Sequence, residues 1–281
     1  MCEQHDIVFL QEHWLLPNEL GLLNNTHDKF QSFGLSAVDI STDILVGRPF
    51  GGTAILYRKT LADQITIIPS DESRITGIQL NTDSGPFLLL NVYMPTNYGD
   101  EASLEMYRDC LTKLHAAVVD SDSLHTIIAG DFNCCPGSRF FPEFTEFAAD
   151  NKLVLSDLNR LNNVITYVSD DGTKTSWIDH IVCSCTADTL IGNIDVINDV
   201  VISDHKPVSF SVKCRPSPAH TCSYSQTACY SSNLRVPMWS TCAHSTLAYY
   251  ADYLDKLLQQ NLRGSLSNKL SAQASAFSCS T

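Results

Sequence analysis

Two short apolar runs that each lead into an acidic residue constrain the fold of this chain more than any other feature. Residues 7–10 read Ile-Val-Phe-Leu and precede Glu12, and residues 126–129 read Thr-Ile-Ile-Ala and precede Asp131. Short, continuous apolar runs are typical of strands that are buried on both faces of a sheet. Open sheets build their sites from polar residues at the ends of such strands. The sequence therefore predicts buried strands with a polar site at one edge.

Two later segments repeat the pattern. Asp179 interrupts the apolar run 178–183, and Asp204 and His205 come shortly before the strand-like run 208–212. A charge inside an apolar strand needs a partner, and His205 is the natural one, because a carboxylate fixes the tautomer of an imidazole and raises its pKa. Each acidic residue alone also fits an ordinary turn or helix cap, so the prediction depends on the whole set.

The remaining pattern up to about residue 212 mixes strands, hairpins and helices. Residues 75–80 and 87–93 flank a polar turn, which predicts a hairpin. Apolar residues recur at three- and four-residue steps over 104–118, and Asp100 stands where a cap is needed, so a helix is expected there. The predicted fold class is α/β (α+β), a four-layer sandwich of two mixed β-sheets flanked by helices.

The composition changes after Lys213, which suggests three parts. Residues 1–213 form the predicted folded domain. Residues 214–240 are rich in Ser, Cys, Thr and Pro and are predicted to form a linker, whereas 241–281 contain an amphipathic helix and a loose tail. No apolar run reaches the roughly 20 residues of a membrane helix. Residues 1–6 contain no basic stretch followed by an apolar run, so we do not expect a secretory signal. The odd, scattered set of 11 cysteines favours a reducing compartment, so we expect a nuclear or cytoplasmic protein that is not secreted.

The net charge of −13 is unusual for a protein that binds DNA. A DNA-binding surface is normally basic, because cationic side chains neutralise the phosphates. A carboxylate-lined site accounts for part of the negative charge, and a larger parent chain could supply basic regions. We therefore expect weak DNA affinity at physiological salt.

Four motifs occur in an order that resembles the endonuclease/exonuclease/phosphatase superfamily. They are Gln11-Glu12, Gly130 to Asn133, Ile178 to Ile181, and Ser203 to His205. The resemblance covers about residues 1 to 212. It implies the two-sheet fold described above and a metal-dependent phosphodiesterase activity.

Further features resemble the endonuclease of LINE-type (non-LTR) retrotransposons. These are Gly51 to Tyr57, Asn91 to Pro95, Ile181-Val182, and Thr166 at its interval before the Asp-His pair. Trp239, followed by a Tyr- and Leu-rich segment, is similar to the start of the region that links such endonucleases to a reverse transcriptase. The resemblance thus implies DNA as substrate and a reverse transcriptase domain in the full-length parent protein.

The resemblance also implies a role for each site residue. Glu12 would bind Mg²⁺, with Mn²⁺ as an alternative, since oxygen ligands beside a phosphate suit these ions. Asp131 would orient or deprotonate the attacking water, and Asn133 would hold that water or the phosphate. Asp179 would brace His205, which as a cation would bind the phosphate. Which of Asp131 and His205 acts as the base stays open at this stage.

The remaining candidates surround this centre. Asp204 would assist the leaving oxygen or bind a second metal ion, and Tyr93 would donate its phenol to the phosphate. Thr166 and Ser203 are weaker candidates for phosphate contact or for support of the other groups. Possible contacts to DNA phosphates and to the cleft come from side chains that are equally ordinary surface or core groups: Arg48, Arg58, Lys59, Arg139, Lys174, His13 and Trp14.

One departure from the family concerns the start of the chain. Family members open with a strand that carries an Asn and then a helix, whereas here Met1 is followed closely by Glu12. The resemblance then implies an N-terminally truncated domain in which one sheet lacks a central strand, with poor solubility and weak activity. Three readings remain open: a retrotransposon endonuclease, an abasic-site repair nuclease of the same superfamily, and a non-catalytic truncated remnant. Phosphoinositide or sphingomyelin hydrolysis is more distant.

Overall fold

The computed structural model describes residues 1–38, 50–199 and 203–217, and the backbone of 233–240. The strands are β1 (Ile7–Gln11), β2 (Phe30–Leu35), β3 (Thr53–Arg58), β4 (Ile65–Ile68), β5 (Ile75–Leu80), β6 (Phe87–Tyr93), β7 (His125–Asp131), β8 (Leu153–Leu155), β9 (Tyr167–Val168), β10 (Thr175–Ser176), β11 (Asp179–Ser184), β12 (Ile191–Val196), β13 (Val208–Lys213) and β14 (Asn233–Ser240). The helices are α1 (Glu101–Val119), α2 (Phe141–Asp150), α3 (Ser156–Arg160) and α4 (Cys185–Asp188), with two 3-10 helices at Pro17–Asn25 and Lys59–Gln64.

These elements form two six-stranded mixed sheets that face each other. The first sheet has the order β12-β13-β14-β1-β3-β2, and the second has the order β4-β5-β6-β7-β11-β8. Strands β9 and β10 form a separate hairpin. The predicted α/β class, with two mixed sheets and flanking helices, is therefore confirmed. Among the described residues, no helix combines the length and the apolar character needed to cross a membrane.

The main core lies between the two sheets. Side chains of a strand alternate between its faces, and one set from each sheet points inward. Phe9 and Ile55 of the first sheet meet Leu89, Ile127 and others of the second in one buried cluster. Residues at even positions, such as Leu90, Ile128 and Val182, face the opposite way.

The outer face of the second sheet is covered by helices. Asp100 caps α1 by accepting a hydrogen bond from the Ser103 amide at 2.9 Å, as the sequence predicted. Apolar residues of α1, including Tyr107 and Leu114, pack on this face together with α2. The expected hairpin is also present, since β5 and β6 pair antiparallel.

Strand β14 fills a central position that the sequence predicted to be missing from one sheet. It runs parallel to β1, where Phe9 pairs with Met238 and Gln11 with Ser240. It runs antiparallel to β13, where Phe210 pairs with Val236. The first sheet is therefore continuous, and the structure assigns the last eight residues of the predicted 214–240 linker to it.

Truncation tests the contribution of β14 to stability. Without it, β1 and β13 would each present unpaired backbone donors and acceptors in the middle of a sheet. We expect a chain of residues 1–217 to lose at least about 3 kcal/mol of unfolding free energy relative to 1–240, since several net hydrogen bonds disappear. Urea denaturation followed by circular dichroism measures this. The 1–240 chain is the control, and equal midpoints for the two chains would contradict the assignment of β14.

Candidate active site

Strand register brings three of the predicted site residues into one row. Tyr93 at the end of β6 pairs with Asp131 at the end of the parallel strand β7. Asp131 in turn pairs with Asp179 at the start of the antiparallel strand β11. Neighbouring strands lie about 4.8 Å apart, so the three side chains stand side by side at one edge of the second sheet. They continue the inward-facing positions of their strands and therefore point to the mouth between the two sheets.

Glu12 reaches the same mouth from the first sheet. It directly follows β1 and has a left-handed backbone, with φ of 51°. Its carboxylate accepts a hydrogen bond from Trp14 Nε1 at 3.1 Å. Glu12 lies close enough to Tyr93 and Asp131 for its negative charge to act on both side chains. The candidate site is thus built from both sheets, with Glu12 on one side and the Tyr93, Asp131 and Asp179 row on the other.

His205 completes the buried part of the site. Its Nδ1 lies 2.9 Å from Asp179 Oδ2 and 3.2 Å from Oδ1, so the structure forms the pair that the sequence predicted. The Tyr167 ring meets the imidazole edge-on at 5.0 Å between centroids. Asp131, Asp179 and His205 are at most 5% exposed, whereas Glu12, Tyr93 and Asn133 are partly exposed. The buried trio forms the floor of the site.

Burial and mutual charge shift the pKa values of His205 and Asp131. Burial disfavours the imidazolium, but the nearby carboxylates, led by Asp179, outweigh it and raise the pKa of His205 to about 9. Burial also raises the pKa of Asp131, the nearby His205 partly opposes the shift, and the Asp179 carboxylate reinforces it. His205 is consequently a cation at neutral pH, and Asp131 has an unusually high affinity for a proton.

Asn133 is tied to Asp131 and to the neighbouring strand. Its backbone amide donates to Asp131 Oδ1 at 2.8 Å. Its side-chain Nδ2 donates to the Met94 carbonyl at 2.8 Å and approaches Asp131 Oδ2 at 3.2 Å. Asn133 has φ of 48°, a left-handed conformation that Asn tolerates better than most residues. Its amide group is therefore held beside the Asp131 carboxylate.

Thr166 and Ser203 support the buried trio. Thr166 is fully buried, and its hydroxyl accepts hydrogen bonds from the amides of Ile178 and Asp179 at 3.1 and 3.2 Å. This geometry directs Thr166 to the backbone that carries Asp179, so the phosphate contact considered for it would require Thr166 to move. Ser203 Oγ accepts from the His205 amide at 3.0 Å and donates to Asp204 Oδ1 at 3.3 Å.

Tyr93 and Arg74 form one wall of the site. Burial, followed by the neighbouring Glu12 carboxylate, raises the pKa of Tyr93, so its phenol keeps its proton. The Arg74 guanidinium lies 5.0 Å from the centre of the Tyr93 ring and donates to the Tyr93 carbonyl at 3.2 Å. Sequence reasoning missed Arg74, because a single Arg before a strand carries no pattern that distinguishes it from a surface charge.

A Gly-Gly turn shapes the loop after Glu12. The Trp14 amide donates to the Gly51 carbonyl at 3.0 Å. A Cβ on Gly52, whose φ is 86°, would lie 2.5 Å from the His13 ring, so a side chain cannot be accommodated there without movement. His13 Nε2 in turn lies 3.1 Å from the Leu35 carbonyl, so this ring lies against the end of β2.

Most of the basic residues considered for DNA contact are paired within the protein. Arg58 Nε binds Asp6 at 2.8 Å, Lys59 Nζ donates to the Asp28 carbonyl at 2.8 Å, and Arg139 binds Glu101 at 2.7 Å. Lys174 is exposed near the tip of the β9–β10 hairpin. Arg48 lies outside the described residues, so the structure does not test it.

The donor set at the mouth suits a hard divalent cation. Within residues 1–38, 50–199 and 203–217, no group of three or more His, Cys, Asp or Glu side chains forms a metal-binding cluster. Mg²⁺ commonly uses only one or two carboxylates, with waters and substrate phosphates as its other ligands. Glu12 offers such a carboxylate, partly exposed and close to the Asp131 carboxylate. The residues present therefore fit the ion that the family resemblance implies.

Comparison with known proteins identifies the family. The model of the endonuclease/exonuclease/phosphatase family matches residues 1–205. This chain therefore belongs to the endonuclease/exonuclease/phosphatase family, and its fold and nuclease or phosphatase class follow from that membership. A search of the curated proteins found no match.

Solved structures share the fold at low sequence identity. The AP endonuclease LMAP from Leishmania major is 18% identical, with a TM-score of 0.62 over 77% of this chain and 80% of that one. The 3′ phosphatase NExo from Neisseria, bound to a product DNA hairpin, is 18% identical, with a TM-score of 0.56 over 72% and 87%. The endonuclease domain of TRAS1, a telomere-specific non-LTR retrotransposon, is 16% identical, with a TM-score of 0.48 over 74% and 98%.

The His205–Asp179 pair makes a prediction about pH. Since the pKa of His205 is raised to about 9, above the value of about 6.5 in an unfolded chain, its stabilisation is complete below pH 6.5 and is lost as pH rises through 9. In Asp179→Asn, His205 stays buried but loses the carboxylate that favours its charged form, so we expect the pKa of His205 to fall markedly. NMR titration of the ring measures both values. Asp195→Asn, at an exposed position of β12, is the control, and an unchanged His205 titration in Asp179→Asn would disprove the coupling.

Proposed function

We propose that this chain is a metal-dependent endonuclease that hydrolyses DNA phosphodiester bonds. The observation that carries the proposal is the buried Asp131, Asp179 and His205 trio at the mouth between the two sheets. Such a trio supplies a carboxylate with high proton affinity beside an imidazolium, which are a base and an electrostatic stabiliser in one place. Family membership supports hydrolysis of a phosphate ester.

Asp131 acts as the general base in this proposal. It removes a proton from a water molecule, whose oxygen then forms a bond to phosphorus while the bond to the leaving oxygen breaks. The raised pKa makes the ionised Asp131 a strong proton acceptor, and the His205 cation beside it favours that ionised form. Asn133, held against Asp131 by its amide, positions the water or a phosphoryl oxygen without adding charge. The Asp179 carboxylate holds His205 as a cation, so we assign the base role to Asp131.

His205 stabilises the charge that develops on the phosphoryl oxygens. Asp179 accepts from Nδ1, which leaves Nε2 as the donor available to the phosphate. Tyr93 keeps its phenolic proton and adds a second donor at the same mouth. Asp204, next to His205, would assist the leaving oxygen by directing to it a water molecule that supplies its proton. A divalent cation held by Glu12, with Asp204 as a candidate for a second ion, would neutralise phosphoryl charge when bound.

The finer assignment within this proposal is nicking of target DNA for retrotransposon insertion. Two sequence features near the site support it: the Gly51-Gly52 turn and the Asp-His-Ile-Val segment of β11. The second glycine of the turn cannot be replaced without moving His13. A reverse transcriptase domain in the full-length parent protein would be the partner. This function is exercised where DNA is found, in the nucleus or the cytoplasm.

Plasmid nicking tests the enzyme. We expect the purified chain to convert supercoiled plasmid to the nicked form only with Mg²⁺ or Mn²⁺. Asp131→Asn should lower the rate by about 10²- to 10⁴-fold, since it removes the base, and Asp204→Ala should also be impaired. The matched control is Asp195→Asn. Asp195 occupies an exposed position of β12, so this variant should nick like the unchanged chain. A folded sample that never nicks would favour the non-catalytic alternative.

A second substrate distinguishes the proposed endonuclease from an abasic-site repair nuclease. The similarity to the Leishmania AP endonuclease supports that alternative. The same variants are assayed on a short duplex with and without one abasic site. Cleavage of intact duplex at comparable rates supports the proposed endonuclease. Cleavage confined to the abasic duplex would replace it with the repair nuclease, and the base and donor assignments would remain.

A further inference from the structure

A second His–Asp pair lies behind the candidate site and takes no part in the chemistry proposed above. His180 is adjacent to Asp179 on β11, so its side chain points to the opposite face of the sheet. Its Nδ1 lies 2.8 Å from Asp157 Oδ2, and both side chains are at most 1% exposed. The aromatic rings of Phe132, Phe144 and Trp177 surround it.

The other nitrogen of His180 contacts the turn that carries Asn133. His180 Nε2 lies 2.9 Å from the carbonyl of Cys134. The carbonyl on the other side of Asn133, that of Phe132, accepts from the Tyr107 hydroxyl at 3.1 Å. The carbonyls of both residues that flank Asn133 in the chain are therefore held by buried side-chain donors from the helical side of the sheet. The turn between them contains the left-handed Asn133, a conformation that an unrestrained chain would seldom keep.

The hydrogen bonds occupy both ring nitrogens of His180. A carbonyl oxygen can only accept, so Nε2 must donate to Cys134. Nδ1 lies 2.8 Å from Asp157 Oδ2, and Asp157 Oδ1 accepts from the Ile181 amide at 2.9 Å. Burial opposes the charge on His180, but Asp157 outweighs it, so the pKa of His180 is raised. The ring is thus held between Asp157 and the Cys134 carbonyl.

We propose that His180, fixed by Asp157, is a positioning residue that holds the Cys134 carbonyl and thereby sets the placement of Asn133 and Asp131 in the catalytic mouth. This inference rests on the proposed endonuclease function. His180 touches neither substrate nor metal in this scheme. Its effect reaches the reaction through the Asp131 carboxylate, which accepts from the Asn133 amide at 2.8 Å. Displacing a catalytic group by about 1 Å can cost about 10²-fold in rate.

Two substitutions at His180 separate positioning from simple stability. His180→Gln keeps a nitrogen able to donate to the Cys134 carbonyl, whereas His180→Leu removes the donor and leaves the volume largely filled. The matched control is His125→Leu, a buried histidine at the far end of β7 that stacks on Phe87. If His180→Leu does not fold, the double variant Asp157→Asn/His180→Phe replaces it, because that variant leaves no unpaired charge buried.

Two readouts are measured for each folded variant: kcat and KM for plasmid nicking, and the amide NMR signal of Asn133. We expect His180→Leu to lower kcat by about 10²-fold with KM nearly unchanged, and to shift the Asn133 signal. His180→Gln should stay within about threefold of the unchanged chain, since one hydrogen bond is retained. His125→Leu should alter neither readout.

Each outcome decides the inference. Equal losses in His180→Leu and His180→Gln, or an unmoved Asn133 signal in His180→Leu, would overturn it. If the unchanged chain does not nick DNA, the proposed function fails, and the NMR readout alone then decides whether His180 positions the turn. In that case a shift in His180→Leu that is absent from His180→Gln and His125→Leu supports the positioning role.

Discussion

The site depends on how the two sheets are fastened at its mouth, and Asn91 makes that connection. This fully buried residue of β6 points inward and donates to the carbonyls of Leu10 and Ala54 in the first sheet, at 2.8 and 3.0 Å. Its amide oxygen accepts from Gln11, the residue before Glu12. Apolar packing between sheets is non-directional and permits sliding, whereas buried hydrogen bonds left unmade are costly. Asn91 therefore fixes the distance between Glu12 and the row that contains Asp131.

Burial of charge is the second constraint, and it lowers the stability of the fold. Asp131 and Asp179 stand side by side on adjacent strands, where two carboxylates repel each other. The imidazolium of His205 offsets that repulsion. Burial raises the pKa of Asp131, and the carboxylates around His205 outweigh burial and raise the pKa of His205. A core of apolar residues at these positions would be more stable and would have no proton acceptor. Local instability of this kind is expected where function requires it.

Sequence reasoning located this row because charges that interrupt apolar strands have few harmless explanations, as with Asp179. It also recovered α1 from its periodicity and the β5–β6 hairpin from its turn. It did not find β14, since the segment is Ser- and Cys-rich upstream and contains Pro237, a residue that argues against a central strand. Its pairing is set by the free edges of β1 and β13, which no local pattern reveals.

The negative charge of the chain has a consequence for how DNA would be held. With a net charge of −13, long-range attraction to a polyanion is absent, and the few basic side chains near the strands are largely paired with acids or carbonyls of the fold. In the proposed endonuclease, affinity would then come from contacts at the mouth itself: the His205 imidazolium, the Arg74 guanidinium and a divalent cation held by Glu12. These charges act at short range and in a partly buried setting, where salt screens them less than surface charges. In the proposed endonuclease, catalysis and DNA binding would therefore be concentrated in the same few groups.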